Sequence, residues 1–225
     1  MSDLDEYIFE KIKNTTKRFY FGDIPVNQDD DLPDGVNFKA ILKTMEKSLP
    51  PHYFDGLKAI NIVHLDEFDE REVNAVYRDS QFFITNKQDN AEDLLDDLVH
   101  ESAHHIEERY TDFIYSDNKV KSEFLKKRAE LEFELRSEGY WTKEYNFKNY
   151  RYNSDFDKFL YNRVGKNMLK RTTSGMFVRP YASVSLREYF ATGFEAFYLG
   201  NKEKLDQVSP MLYDKINELH NLTRK

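Results

Sequence analysis

The 225-residue chain has no cysteine, which excludes disulfides and thiolate metal ligands and leaves its redox compartment unmarked. Positive charge is in deficit. Lys and Arg number 33 against 41 Asp and Glu, a formal net charge of -8. A nonspecific grip on nucleic acid or on an anionic membrane needs a basic surface, so neither is an expected partner. No apolar run approaches the length of a membrane span. The opening MSDLDEYIFEKIKNTTKRF lacks a basic segment followed by an apolar one, so no secretory signal is visible. The expectation is a protein that is cytoplasmic, exported by another route, or carried in a particle. Internal repeats and low-complexity tracts are also missing, and the length suits one domain with a sizeable core.

The elements follow from what is present. Residues 1–50 read as an N-terminal helical segment: one helix, the polar stretch NQDDDLPDG, then a second helix around FKAILKTMEKSL that Pro50 and Pro51 stop. In LKAINIVHL, Ile60, Ile62 and Val63 read as a buried strand. NAVYRDSQFFIT sets two β-rich runs around the turn-like RDS, a hairpin. Asn90 is a suitable helix N-cap, with Glu92 and Asp93 in the positive first turn. Leu94, Leu95, Leu98 and Ile106 form the apolar face of that helix.

Past Tyr110 the segment NKVKSEFLKKRAELEFELRSE is a charged helix, with Phe124, Leu125, Leu131 and Leu135 facing inward. GYWTKEYNFKNYRYN is an aromatic connector, expected to pack on helices rather than to bind a ligand, and SDFDKFLYNRVGKNMLK is helical. A loop, TTSGMFVRPYASVS, leads into the helix LREYFATGFEAFYLG, which Gly200 ends. Ser209-Pro210 opens a final helix. Strands early and helices late predict an α+β domain.

Half of the six histidines lie in DDLVHESAHHIEE, residues 96–108. His100 and His104 are four apart, so a helix stacks them on one face. Neutral imidazoles at that spacing can both reach one zinc ion, and Glu101 beside the first can hold a water as general base. The string H-E-S-A-H is thus an HExxH motif, which arises by chance in about one chain in a hundred of this composition. The plainer reading is a surface helix with solvated histidines, whose Glu107 and Glu108 mark a water-facing part. His105 points about 100° away from His104, which places it at the surface or beside the ligands rather than among them.

A catalytic zinc takes three protein ligands and keeps one open position. The compact HExxHxxGxxH form is absent, because Glu107 and Tyr110 stand where it needs Gly and His. The third ligand is then to be sought among His52, His64, His220, Glu188 and Glu195. Glu188 is favoured: it starts an apolar helix whose Ala191 and Gly193 would allow close packing on the histidine helix. Glu195, two turns on, is its rival.

The string EYFATGF, Glu188 to Phe194, matches a downstream motif of the type E-F-F-A-x-x-F, and Tyr181 stands seven residues before Glu188. In these features the chain resembles the gluzincin metalloproteases similar to the catalytic domain of anthrax lethal factor, which include the secreted proline-proline endopeptidases. The resemblance covers roughly residues 60–218 and weakens between 111 and 170. It implies a zincin-like domain over residues 51–225 with a charged helical insertion at about 111–170. It further implies zinc held by His100, His104 and Glu188, with Glu101 as general base and Tyr181 as donor to the oxyanion.

The expected function is that of a zinc endopeptidase, acting on a protein or peptide that lies extended against an edge strand from AVYRDSQFFIT. The rival is a catalytically silent binding or assembly module on the same fold, such as a toxin component or a virion protein. A fold alone does not decide between them, and all five chemical positions are intact.

Overall fold

The structure, a computed structural model, describes residues 17–33, 35–71 and 73–222. By packing, the chain divides into two compact units, Met1–His105 and Ile106–Lys225. Together they make the expected mixture of sheet and helix, an α+β chain with one five-stranded mixed sheet. Among the described residues no helix is long and apolar enough to cross a membrane.

The first unit differs from expectation at its start. The first helix expected within residues 1–50 lies outside the described residues as far as residue 16, and from Lys17 the chain is extended. Strands β1 (Lys17–Phe21) and β2 (Ile24–Gln28) form an antiparallel hairpin. Gly22, at φ 57°, takes the left-handed conformation that such a tight turn needs. Pro25 is tolerated because the parallel ladder from β2 to the next strand begins one residue later, at Val26.

The rest of the first unit follows its sequence pattern. Helix α1 (Phe38–Ser48) is capped by Asn37 and ends just before the two prolines. Strand β3 (Ala59–Ile62) is buried along its whole length. After the short helix α2 (Asp66–Arg71), strands β4 (Ala75–Arg78) and β5 (Gln81–Ile84) form the expected hairpin, with Asp79 and Ser80 both at positive φ in the turn. The sheet order is β1-β2-β3-β5-β4, so β4 is an edge strand, with β3 parallel to both of its neighbours. A polar pair sits within this apolar sheet. Asn27 donates to Asn61 across the β2–β3 ladder at 2.8 Å, and Asn61 in turn donates to the Phe82 carbonyl at 3.2 Å. Buried amides must find partners, so these bonds favour one register.

Helix α3 (Ala91–Arg109) begins where Asn90 predicts: its Oδ1 accepts from the backbone N–H groups of Glu92 and Asp93. Leu94, Leu98 and Ile106 are fully buried, while Leu95 is half-buried. Ser102, on the same helix, lies against Met45 of α1.

The second unit is helical. Helix α4 (Thr111–Tyr115) and the long helix α5 (Lys119–Ser137) lead to an irregular connector. The segment expected as one helix from Ser154 is instead three pieces: α6 (Ser154–Lys158), a π-helical stretch (Phe159–Gly165) and α7 (Lys166–Thr173). A 3-10 turn (Pro180–Ser183) precedes α8 (Leu186–Tyr198), and α9 (Lys202–Val208) and α10 (Pro210–His220) complete the chain. Phe147 of the aromatic connector joins Phe156, Phe159, Leu131 and Leu135 in one buried cluster, while Trp141 and Tyr152 are exposed. A Cβ at Gly193 would meet Leu212 Cδ2 at 2.3 Å, so the close approach it permits is to α10.

Asn90 gives the first test. Asn90→Ala removes the acceptor of two N–H groups and should cost about 1 kcal/mol. In a chain of this size that is a fall in Tm of about 2–4 °C, measurable by calorimetry.

Candidate metal centre

Among the described residues, one turn of α3 brings together a group of possible metal ligands. His100, Glu101 and His104 each present one polar atom, and these atoms lie within 4.8 Å of one another. The two imidazole rings meet edge to face at 4.7 Å between centroids. His104 and Glu101 are buried, each 6% exposed, and His100 is half-buried. Burial of an imidazole and a carboxylate on one helical turn is expensive, which argues against the plain reading of solvated histidines. Tetrahedral zinc, with Zn–N bonds of about 2.0–2.1 Å, holds its ligand atoms about 3.3 Å apart. The two imidazoles are of the right chemical type for that ion, and the group is gathered to within 4.8 Å, somewhat wider than a bound zinc would hold it.

His105 corrects one part of the expectation. It is not at the surface but 2% exposed. Its Nε2 lies 3.1 Å from the Asp55 carbonyl and its Nδ1 3.1 Å from the Tyr77 hydroxyl. A carbonyl can only accept, so Nε2–H donates to Asp55, and in the neutral ring Nδ1 accepts from the Tyr77 hydroxyl. Both ring nitrogens are thus engaged. The angular argument separated it from His100 and His104 correctly, but gave no sign of partners 28 and 50 residues away.

The other histidines are held elsewhere in their own units. His64 pairs with Asp69 at 3.3 Å, and His220 Nδ1 lies 2.9 Å from the Tyr198 hydroxyl. His52 sits in a 3-10 turn with its ring edge-on to Tyr53.

In the second unit, Glu188 lies in the first turn of α8, 8% exposed. Ser185 caps that helix, its hydroxyl accepting from the Glu188 N–H at 3.1 Å. Ser185-x-x-Glu188 therefore has the form of a capping box, a structural reason for a carboxylate here that does not depend on metal. Glu195, the rival, is 4% exposed and forms an ion pair with Arg179. Its burial is thus accounted for by a cation.

Tyr181 is in the 3-10 turn that Pro180 opens, half-buried, with its ring 6.2 Å from that of Tyr161. Burial pushes its hydroxyl pKa well up, and the charge of Glu188 pushes it further. A tyrosine kept protonated beside a carboxylate is a hydrogen-bond donor at every pH of interest. Glu107 belongs to the same surroundings. It does not simply face water as expected: it is half-buried and accepts from the Tyr115 hydroxyl. Burial raises its pKa, an effect that the Tyr115 bond and Arg187 oppose and Glu188 reinforces.

No protein-family model, no curated protein and no solved structure matches the chain.

The role given to His105 predicts an effect on stability rather than on metal. His105→Ala removes a bond from the Tyr77 hydroxyl and another from the Asp55 carbonyl. The expected cost is about 2–4 kcal/mol, since each buried group loses a partner. Denaturant unfolding measures it, and metal uptake by the folded fraction should persist.

Proposed function

We propose that this protein is a zinc-dependent endopeptidase of the zincin type. The observation that carries the reading is the close grouping of His100, Glu101 and His104 on one buried turn of helix α3. The edge position of β4 supports it, since a peptide can add to an open strand by backbone hydrogen bonds while its side chains set the preference.

His100 and His104 are the metal ligands of this proposal, and the resemblance assigns the third place to Glu188. Zinc bound there would supply Lewis acidity and lower the pKa of a coordinated water to about 7. Glu101, which is not counted as a ligand, takes the proton of the attacking water and passes it to the leaving amine. Tyr181, held protonated by its surroundings, donates a hydrogen bond to the oxygen on which charge develops. A protein or peptide is the substrate.

Four substitutions test these roles separately. Glu101→Gln should keep zinc and fold while peptide hydrolysis falls by about 10²–10⁴-fold, the contribution of a positioned base. Tyr181→Phe should lower turnover by about 10²-fold with zinc content unchanged. Glu188→Gln should weaken zinc binding strongly, and Glu195→Gln should leave it nearly intact. The reverse order for the two glutamates would shift the ligand helix out of register and remove the basis for Tyr181 as well. Hydrolysis of a peptide library, with and without chelator, and elemental analysis supply the readouts.

A further inference from the structure

The second unit holds a cavity that the peptidase reading does not use. It measures about 640 Å³ and is walled by the aromatic connector, by α5, and by the segment running from α6 into the π-helical stretch. That volume suits a small organic ligand. Four cations line it, Arg128, Arg151, Lys158 and Arg163, against two carboxylates, Glu144 and Asp155. In a chain with net charge -8, this is a local reversal of sign.

Arg128 is the group hardest to explain without a ligand. It is 1% exposed, with its guanidinium 3.9 Å above the Phe156 ring. Its Nη1 donates to the carbonyls of Ser183 and Val184 at 2.9 and 3.1 Å, while the buried Nε–H has no hydrogen-bond partner. Among the described residues no carboxylate pairs with it, and burial alone depresses its pKa. A buried cation without a counter-charge is costly, and a buried donor left open adds to that cost. The exposed cations Arg151, Lys158 and Arg163 likewise form no ion pair with a carboxylate among the described residues.

The asparagines of the lining point to the same chemistry. Asn146, Asn149 and Asn153 each use the side-chain oxygen to accept a backbone N–H, from Lys148, Arg151 and Phe156. Each of these amides keeps its N–H groups to offer. The wall thus sets four cations and these amide donors against the two carboxylates Glu144 and Asp155. The π-helical stretch contributes Asn162 and Arg163, and π turns recur at functional sites because their weaker backbone geometry is otherwise disfavoured.

We infer that this cavity binds a phosphate group, either the free ion or the phosphate of a small ester, with Arg128 as the buried anchor. Phosphate is favoured over carboxylate by the number of donors. It carries close to two charges and three strong acceptor oxygens, whereas a carboxylate has two oxygens and one charge. A planar guanidinium suits either oxyanion, but only the larger one uses cations and amides from several sides.

The test is calorimetric titration of the full chain with inorganic phosphate, AMP and acetate at matched ionic strength. One saturable site per chain is expected for phosphate or for AMP. A preference for the bare ion assigns the site to free phosphate, and a preference for AMP assigns it to an ester. Lys158→Glu with Arg163→Glu should weaken binding at least about tenfold by reversing two charges at the mouth. Lys43→Glu, on the exposed face of α1, should not change it. Arg128→Lys keeps the charge but loses the fork, and should also weaken binding; should it fail to fold, the double variant still decides. The inference is overturned if neither phosphate probe binds saturably up to about 10 mM, where even a weak site would show. Acetate binding as tightly as phosphate, or an unaffected double variant, overturns it equally.

Discussion

The rotation of helix α3 about its own axis is the constraint on which the candidate metal centre depends. Turning the helix by one residue would carry His100 and His104 through about 100° and present a different face. His105 opposes that turn. Its ring is tied by Tyr77 to the edge strand β4, in a buried bond, and by the Asp55 carbonyl to the segment before β3, in a partly buried one. Ser102 and Met45 add a contact with α1, and Asn90 fixes where the helix begins. His105 thus does the holding, beside the two edge-to-face imidazoles and Glu101 of the proposed centre.

Much of the first unit was legible because its signals are local. The hairpin of β4 and β5 is announced by short β-rich runs around Arg78-Asp79-Ser80, and α3 by a cap and a 3.6-residue period. The hairpin of β1 and β2 was missed for physical reasons. β1 is an edge strand with mostly exposed side chains, its Phe19-Tyr20-Phe21 run is short, and β2 contains a proline. Gly22-Asp23 was the available clue, a dipeptide suited to a two-residue turn. The π-helical stretch could not be told from an α-helix, since both present a helical spread of apolar residues.

Buried charge was the hardest feature to read. Helix α5 is strongly charged in sequence, and periodicity assigned its inner face to Phe124, Leu125, Leu131 and Leu135. Lys127 and Arg128 are buried there as well. Lys127 donates to Ser209 and the Val208 carbonyl, and burial lowers its pKa to about 8. Its partners lie about eighty residues onward, beyond any local pattern. The same holds for the ligand question at Glu188 and Glu195. Sequence spacing left them as rivals, and it shows neither the ion pair of Glu195 with Arg179 nor the bond between the Ser185 hydroxyl and the Glu188 N–H.

The central claim is that His100 and His104 together form a zinc site. Zinc titration of metal-free protein, followed by elemental analysis of the dialysed product, tests it most directly. The account predicts about one zinc per chain, as expected for a single site. It also predicts loss of that zinc in both His100→Ala and His104→Ala, with each variant still folded by circular dichroism. Protein that takes up no zinc, or that keeps its zinc in both variants, would contradict the account.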